Sequence, residues 1–483
     1  MKVRQEAAPL FGARGLLIAI GAAIVVCWPV FFSGGIIVFE DTSSYFQGGK
    51  KIWTVLIDTV LSAAETATAN GKSARSAAVD ALAVDAGGGS TVGRSFIYSL
   101  FSYLMLSVAG AVGIAMTQAT LVVFTFFALI DKRALAAPWV LVAGGLGVAT
   151  LTTLPWHAVY LMPDVFGSII IVFGAVLVTH FSDMSGPKKV LLTALAALAT
   201  ATHYGNIPVM AGVGGFALLW LLLSRRITLA AILAVLFAIG FSPAANIAGS
   251  SLFLKTTSAA PMRLPILLAR SLDDGPANWY LTRECGSSDF AMCEAFGDDI
   301  PESISELLWA EDGVESLSAE VLQRIRDEEM ELLVQVFLAY PVAQTTSLLG
   351  NTLKQLTRFG TGQINFAQGV TDELKIRKNS ASPEFWPKQV ADPIVTGVAA
   401  VSFLALLALL VTGRMSAAQR AMFFMVCSGL LINAAVFGGL SAPVDRYQAR
   451  MMWLVPGLLV LVLAQLSSER AASRVTRQPQ SSP

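Results

Sequence analysis

Ten apolar runs, none with an Asp, Glu, Lys or Arg in its interior, leave this 483-residue chain few ways to fold. They lie near 15 to 38, 111 to 130, 138 to 153, 164 to 182, 190 to 204, 207 to 224, 227 to 250, 393 to 412, 421 to 440 and 451 to 467. Most approach the ~20 residues that cross a hydrocarbon core as a helix. The runs lack period-two alternation, and an open sheet edge has no partner in lipid, so strands are not expected. With 55% hydrophobic and 14% charged residues the chain uses lipid as solvent. The expected fold is therefore an all-α polytopic membrane protein of about ten transmembrane helices.

Basic residues set its orientation. Lys2, Arg4 and Arg14, then Lys132 and Arg133, Lys188 and Lys189, Arg225 and Arg226, Arg414 and Arg420, and Arg470, Arg474 and Arg477 fall at every second junction. The positive-inside rule makes those junctions and both termini cytoplasmic. The segments 39 to 110 and 251 to 392, with short turns near 154 to 163, 203 to 207 and 441 to 450, then face outward. Reading 95 to 130 as two full spans inverts every later loop, so 95 to 110 is expected to be an interfacial helix in the first outer loop. The first run is longer than a signal-peptide core and is read as an uncleaved anchor. The organisation is thus an N-terminal membrane module at 1–250 with its outer loop at 39–110, a larger and mainly helical outer segment at 251–392, further membrane helices at 393–467 and a cytoplasmic tail at 468–483.

The 33 basic and 33 acidic residues balance, which argues against a nucleic-acid partner. Cys27 and Cys427 lie within apolar runs as packing residues. Cys285 and Cys293 lie in the outer segment, where an oxidising compartment lets such a pair close a short loop. A run from Ala319 to Tyr340 has helical periodicity that Pro341 ends or kinks. Residues 65 to 93, rich in Ala, Gly, Ser and Thr, read as a flexible loop over a site. Between Lys189 and Arg225 only 35 residues remain for a hairpin, whose short arms meet at His203-Tyr204-Gly205-Asn206 and leave a polar notch.

The chemistry-bearing residues gather at the outer interface: Glu40, Asp41, Tyr45, Arg94, His157, Asp164, His203, Lys255, Asp445, Arg446 and Arg450. Ion-coupled carriers place acids or histidines at the midplane, and this chain does not. No phosphate-binding loop or dinucleotide glycine pattern is present, which disfavours a nucleotide-sugar donor.

Four stretches carry a resemblance. They are Glu40-Asp41-Thr42-Ser43-Ser44-Tyr45 after the first run, Arg94-Ser95-Phe96-Ile97-Tyr98, Leu154-Pro155-Trp156-His157 with Met162-Pro163-Asp164, and Asp445-Arg446-Tyr447-Gln448-Ala449-Arg450 before Trp453. Their order and sidedness resemble the GT-C glycosyltransferases, integral membrane enzymes that use polyprenyl-linked sugars. That family includes protein mannosyltransferases, the lipid A aminoarabinose transferase and the catalytic subunit of oligosaccharyltransferase. The resemblance covers most of 1–250 and 440–460, while the outer segment is similar only to uncharacterised bacterial members.

The resemblance implies a transferase of the bacterial inner membrane. It would move a sugar from a polyprenyl-phosphate donor to an envelope glycan, lipid or protein acceptor on the periplasmic side, with membrane lipids as its surroundings. Asp41 is then the candidate base, with Glu40 beside it, and Asp164 the second acid. A divalent cation, Mg or Mn, would sit between Asp41 and Asp164 if one is used. Arg446 and Arg450, four apart and so on one helical face, would grip the leaving phosphate with help from His157, Arg94, His203 and Lys255. Tyr45, Trp156 and Tyr447 would stack on sugar. Two other classes compete: a flippase or exporter of lipid-linked glycans, and a polymerase or ligase that relies chiefly on arginines.

Overall fold

The computed structural model describes residues 8–32, 36–39, 41–67, 94–254, 264–361, 365–371, 374–378 and 388–476. Glu40, Lys255 and the loop tip at 68–93 lie outside the described residues. The molecule is largely helical, and its long apolar helices mark a multi-pass membrane protein. Among the described residues, six helical segments are long and apolar enough to cross a membrane: Phe96–Leu129, Asn206–Leu223, Leu229–Gly249, Val390–Val411, Ala417–Gly439 and Asp445–Ala472. The shorter apolar helices Ala13–Val26, Pro138–Leu151 and Pro163–Thr179 accompany them. At 1.5 Å per residue a 14-residue helix is only about 21 Å long, below the ~30 Å hydrocarbon core. The count of ten spans therefore exceeds what helix length alone supports.

The centre of the bundle is the helix Gly167–Thr179, in which all thirteen residues are buried. Its sequence, GSIIIVFGAVLVT, has no polar stripe to offer solvent, and a helix apolar all round belongs inside. The short hairpin forms as read: Gly186–Ala201 and Asn206–Leu223 meet in a turn at His203.

Two features of the first 130 residues depart from the sequence reading. The run 15 to 38 is not one helix. It is Ala13–Val26, then Trp28–Phe32, then a strand, Ile36–Val38. The β-branched Ile36-Ile37-Val38 pairs antiparallel with Asn365–Val370, which pairs with Ile376–Lys378. Strands were not expected, and this three-stranded sheet is the exception. It forms because its backbone partners come from residues 365 to 378, outside every apolar run.

The second departure concerns 95 to 130. Phe96–Phe126 is helical except at Gly110, whose φ of 67° and ψ of −174° only glycine adopts freely. Tyr98 donates its hydroxyl to Gln118 Oε1 at 2.8 Å. In a straight helix residues twenty apart are about 30 Å apart, so the chain folds back at Gly110 into two antiparallel arms. The first arm packs along the helix Thr42–Ala67, where Gly49 lies against Ser99 and Tyr103. The interfacial helix of the sequence reading is this return arm, continuous with the next segment through one glycine. Gly110→Val should cost about 1–3 kcal/mol, read as a fall in melting temperature in detergent, because no side chain fits that backbone conformation without strain.

Residues 264–361 form a helical cap with its own apolar core, including Leu268, Leu272, Leu281, Met292, Ile325, Leu332 and Val336. Cys285 and Cys293 are disulfide-bonded. The helix Ala319–Ala339 ends where Pro341 begins the next, Pro341–Thr357, and the two axes meet at 107°.

Candidate functional site

Five separated stretches converge beside the sheet. The first is the entry to Thr42–Ala67, where Thr42 Oγ1 accepts the Phe39 amide and closes the preceding turn. That turn presents Asp41 and Tyr45. Ser95, whose side chain accepts the Tyr98 amide, starts the return arm and places Arg94 opposite Asp41. Arg94 donates to Asp41 Oδ1, and its guanidinium stands 5.8 Å from the Tyr45 ring.

The second side of the site is the turn 154–166. The helix Leu154–Ala158 carries His157, and the 3₁₀ turn Pro163–Phe166 carries Asp164. This turn is pinned from two directions. Gln118 Nε2 donates to the carbonyls of Ala158 and Tyr160, at 3.0 and 2.9 Å, and Leu161 donates its amide to the Ile37 carbonyl.

The arginine helix, Asp445–Met452, closes the site. Arg446 lies between two rings, 4.0 Å from the centre of Phe39 and 4.8 Å from that of Tyr447, and donates to the Tyr447 hydroxyl at 3.1 Å. Arg450 is fully buried. Its guanidinium stacks 4.0 Å from the Phe437 centroid, donates Nη2 to Asn433 Oδ1 at 2.9 Å and donates Nε to the Tyr447 carbonyl at 3.2 Å. Its Nη1 stands 3.9 Å from Asp164 Oδ1, an ion pair without a hydrogen bond. Gly167 packs closely beneath this helix: a Cβ there would meet the Met451 methyl at 2.3 Å and touch the Arg450 guanidinium at 3.4 Å. Phe437 sits in a π-helical turn, Ala435–Gly439, the kind of irregularity common at functional sites.

Among the described residues, three guanidiniums against two carboxylates leave the site positive, and both histidines, neutral near pH 7, add no charge. Burial takes His157 down to about 4 and His203 to about 3, with the charge of Arg450 also acting against protonation of each. Burial likewise raises the Tyr45 and Tyr160 phenols, so both stay protonated. Arg446 Nε and Nη1, Arg450 Nη1 and Arg94 Nε are buried without a hydrogen-bond acceptor among the described residues. Buried donors of this kind ordinarily find partners, so the arrangement suits a bound anion.

The histidines carry a pH prediction. An unfolded histidine titrates near 6.5, so below that pH the unfolded chain binds protons that the folded site refuses. Stability is complete above pH 6.5 and is lost as pH falls toward 4. At pH 5 each histidine should cost about 2 kcal/mol, seen as a falling melting temperature between pH 7.5 and 5. The pair of changes His157→Gln and His203→Gln should flatten that slope.

Of the residues singled out in the sequence, Asp41, Tyr45, Arg94, His157, Asp164, His203, Arg446, Tyr447 and Arg450 come together. Trp156 is buried, with its ring 5.4 Å from Trp28, so its contact is internal packing and not an open sugar platform. The charge balance favours an anion over a cation: Asp41 is paired with Arg94 and Asp164 faces Arg450. Among the described residues no three His, Cys, Asp or Glu side chains are grouped to hold a metal ion. The sequence reading missed Phe39, Phe437, Asn433, Tyr160 and Gln118. A polar residue within an apolar run, as at Gln118 and Asn433, is a usable signal. The rings give none, since an aromatic beside an apolar run is ordinary. Comparison with protein-family models, with curated proteins and with solved structures finds no match to the chain.

Proposed function

We propose that this protein is a membrane glycosyltransferase of GT-C type, transferring a sugar from a polyprenyl-phosphate donor to an envelope glycan, lipid or protein acceptor. In this reading the chain crosses the bacterial inner membrane ten times with both termini cytoplasmic, and the site opens on the periplasmic face. The observation that carries it is a carboxylate still open to an acceptor beside an excess of guanidiniums still short of acceptors. The Asp41 side chain keeps 21% of its exposure while Asp164 keeps 2%, so Asp41 is the one an incoming hydroxyl or amine can reach.

Asp41 accepts the acceptor's proton as the nucleophile attacks the anomeric carbon. The bond from that carbon to the phosphate oxygen breaks, and the electron pair leaves with the polyprenyl phosphate. Arg446 meets the charge that develops on it, and buried Arg450 adds its positive charge from behind, in a setting where oriented donors need no reorganisation. Arg94 orients Asp41 and compensates its charge. Asp164 holds the Arg450 side of the cluster, and neutral His157 and His203 add polarity without further charge.

The excess of arginines also suits a ligase or polymerase of preassembled glycans. The two differ in what they transfer: one sugar from a monosaccharide donor, or a whole chain. Mass spectrometry of envelope glycans from a deletion strain separates them. The expected result is a glycan short by one residue type, restored by the wild-type gene. A full-length glycan lost as a unit supports the ligase reading, and an unchanged glycan profile overturns both.

A further inference from the structure

The helices Ala319–Ala339 and Pro341–Thr357 form an elbow whose outward face is apolar. On the first arm the exposed positions follow one stripe, beginning with Glu320, Gln323 and Asp327 and ending with Val334, Phe337 and Leu338. The stripe thus changes from charged to apolar within 18 residues, about 27 Å of helix. On the second arm it continues through Val342, Leu349 and Leu353, with Thr345, Thr346 and Lys354 exposed beside them. Leu338 is 74% exposed, Val342 78% and Leu353 63%, although the opposite face of the first arm buries Ile325, Leu332 and Val336 in the cap core. Soluble surfaces rarely leave so many large apolar side chains uncovered together.

The elbow's position identifies what covers it. Its second arm lies against the final turn of the candidate span Ala417–Gly439: a Cβ at Gly438 would meet Gln355 and one at Gly439 would meet Leu348. The patch therefore sits at the same end of the bundle as the last turn of that span, whose Phe437, Gly438 and Gly439 are buried. At the corner, Tyr340 packs edge-on to half-exposed Trp279, with ring centres 5.6 Å apart, and accepts a hydrogen bond from Arg283 at 3.2 Å. Aromatic and basic side chains grouped in this way are the usual anchors at a membrane surface. Taken together, the two arms are also long and apolar enough to enter a bilayer.

We propose that this elbow is immersed among lipid chains in the half of the bilayer on the side of the candidate site. The immersed arm is tied directly to the arginine helix. Gln355 Nε2 donates to the Val444 carbonyl and its Oε1 accepts the Val444 amide, both at 2.9 Å, while Arg358 donates to the Pro443 carbonyl at 2.8 Å. Lipid contact on one face of Pro341–Thr357 thereby reaches the segment that begins the helix of Arg446 and Arg450. This holds whether or not the protein transfers a sugar.

The test uses the full chain in nanodiscs with Cys27→Ala and Cys427→Ala, the 285–293 disulfide intact, and single nitroxide labels at Leu338→Cys, Leu353→Cys or Gln323→Cys. All three positions are exposed, so the label leaves the fold in place. Collision rates with oxygen, which enters lipid, and with a water-soluble nickel chelate are compared. Immersion predicts an oxygen-to-nickel ratio several-fold higher at 338 and 353 than at 323. A nickel-dominated ratio at 338 and 353 overturns the proposal. Shielding from both reagents overturns it too, by showing a second copy or another protein on the patch.

Discussion

Asp41→Asn should lower turnover by about 10²–10⁴-fold while the protein still accumulates in the membrane and melts within a few degrees of the wild type. That range is what a positioned general base contributes. The substitution keeps the side chain's shape and one oxygen that accepts from Arg94, so the local structure has little reason to change. What goes is the site that takes the acceptor's proton. Asp164→Asn should behave differently, because Asp164 is buried and faces Arg450, so its change weakens the arginine cluster before it touches proton transfer. The measurement is the rate of glycan restoration in the deletion strain, with membrane protein levels quantified in parallel. Wild-type restoration by the Asp41→Asn variant would remove Asp41 from the mechanism and leave the arginines without a base beside them.

Arg450→Met should be the most destabilising single change in the site. Methionine fills much of the same volume against Phe437, so a cavity is not the main cost. The loss is electrostatic: Asp164 keeps its buried position and loses the nearest cation, and Asn433 Oδ1 loses its donor. Breaking a buried pair on one side typically costs 3–5 kcal/mol, and the same order is expected here, about 3–5 kcal/mol. Adding Asp164→Asn to Arg450→Met should return a large part of that stability but none of the activity. Thermal unfolding of single and double variants gives the coupling directly. Additive losses would mean that the 3.9 Å approach carries no energy.

The membrane class was legible because lipid imposes one rule on the whole chain, namely long runs without charge. The orientation proposed above rests on a second rule, the bias of basic residues toward alternate junctions. The site residues were legible for a related reason. A charged side chain such as Arg450 or Asp164 at the edge of an apolar run is expensive unless it has partners, so its presence points to them. The structure supplies those partners, but only some could be named from the sequence. Arg446 is held by the rings of Phe39 and Tyr447, and nothing in the string around Phe39 separates it from the other 26 phenylalanines. The fold-back at Gly110 was hidden because a single glycine in an apolar helix is compatible with a straight span. The Gly110 backbone and the Tyr98–Gln118 contact reveal the turn. The strand at 36–38 was hidden because its partner is at 365–370, and an apolar triplet next to a helix reads as more helix.

The pairing of Asp164 with Arg450 also fixes an order of events during biosynthesis. At about 5–20 residues per second, the ribosome releases the arginine helix roughly 15–60 s after the acidic turn, 286 positions earlier. Through that interval the nascent chain holds an acid whose eventual counter-charge does not yet exist. The strand at 36–38 waits longer still for the segment that will pair with it. A ribosome stalled before codon 365 would therefore leave an inserted fragment with an uncompensated carboxylate and an open strand edge. Both are marks by which a membrane protease can tell an unfinished chain from a completed one.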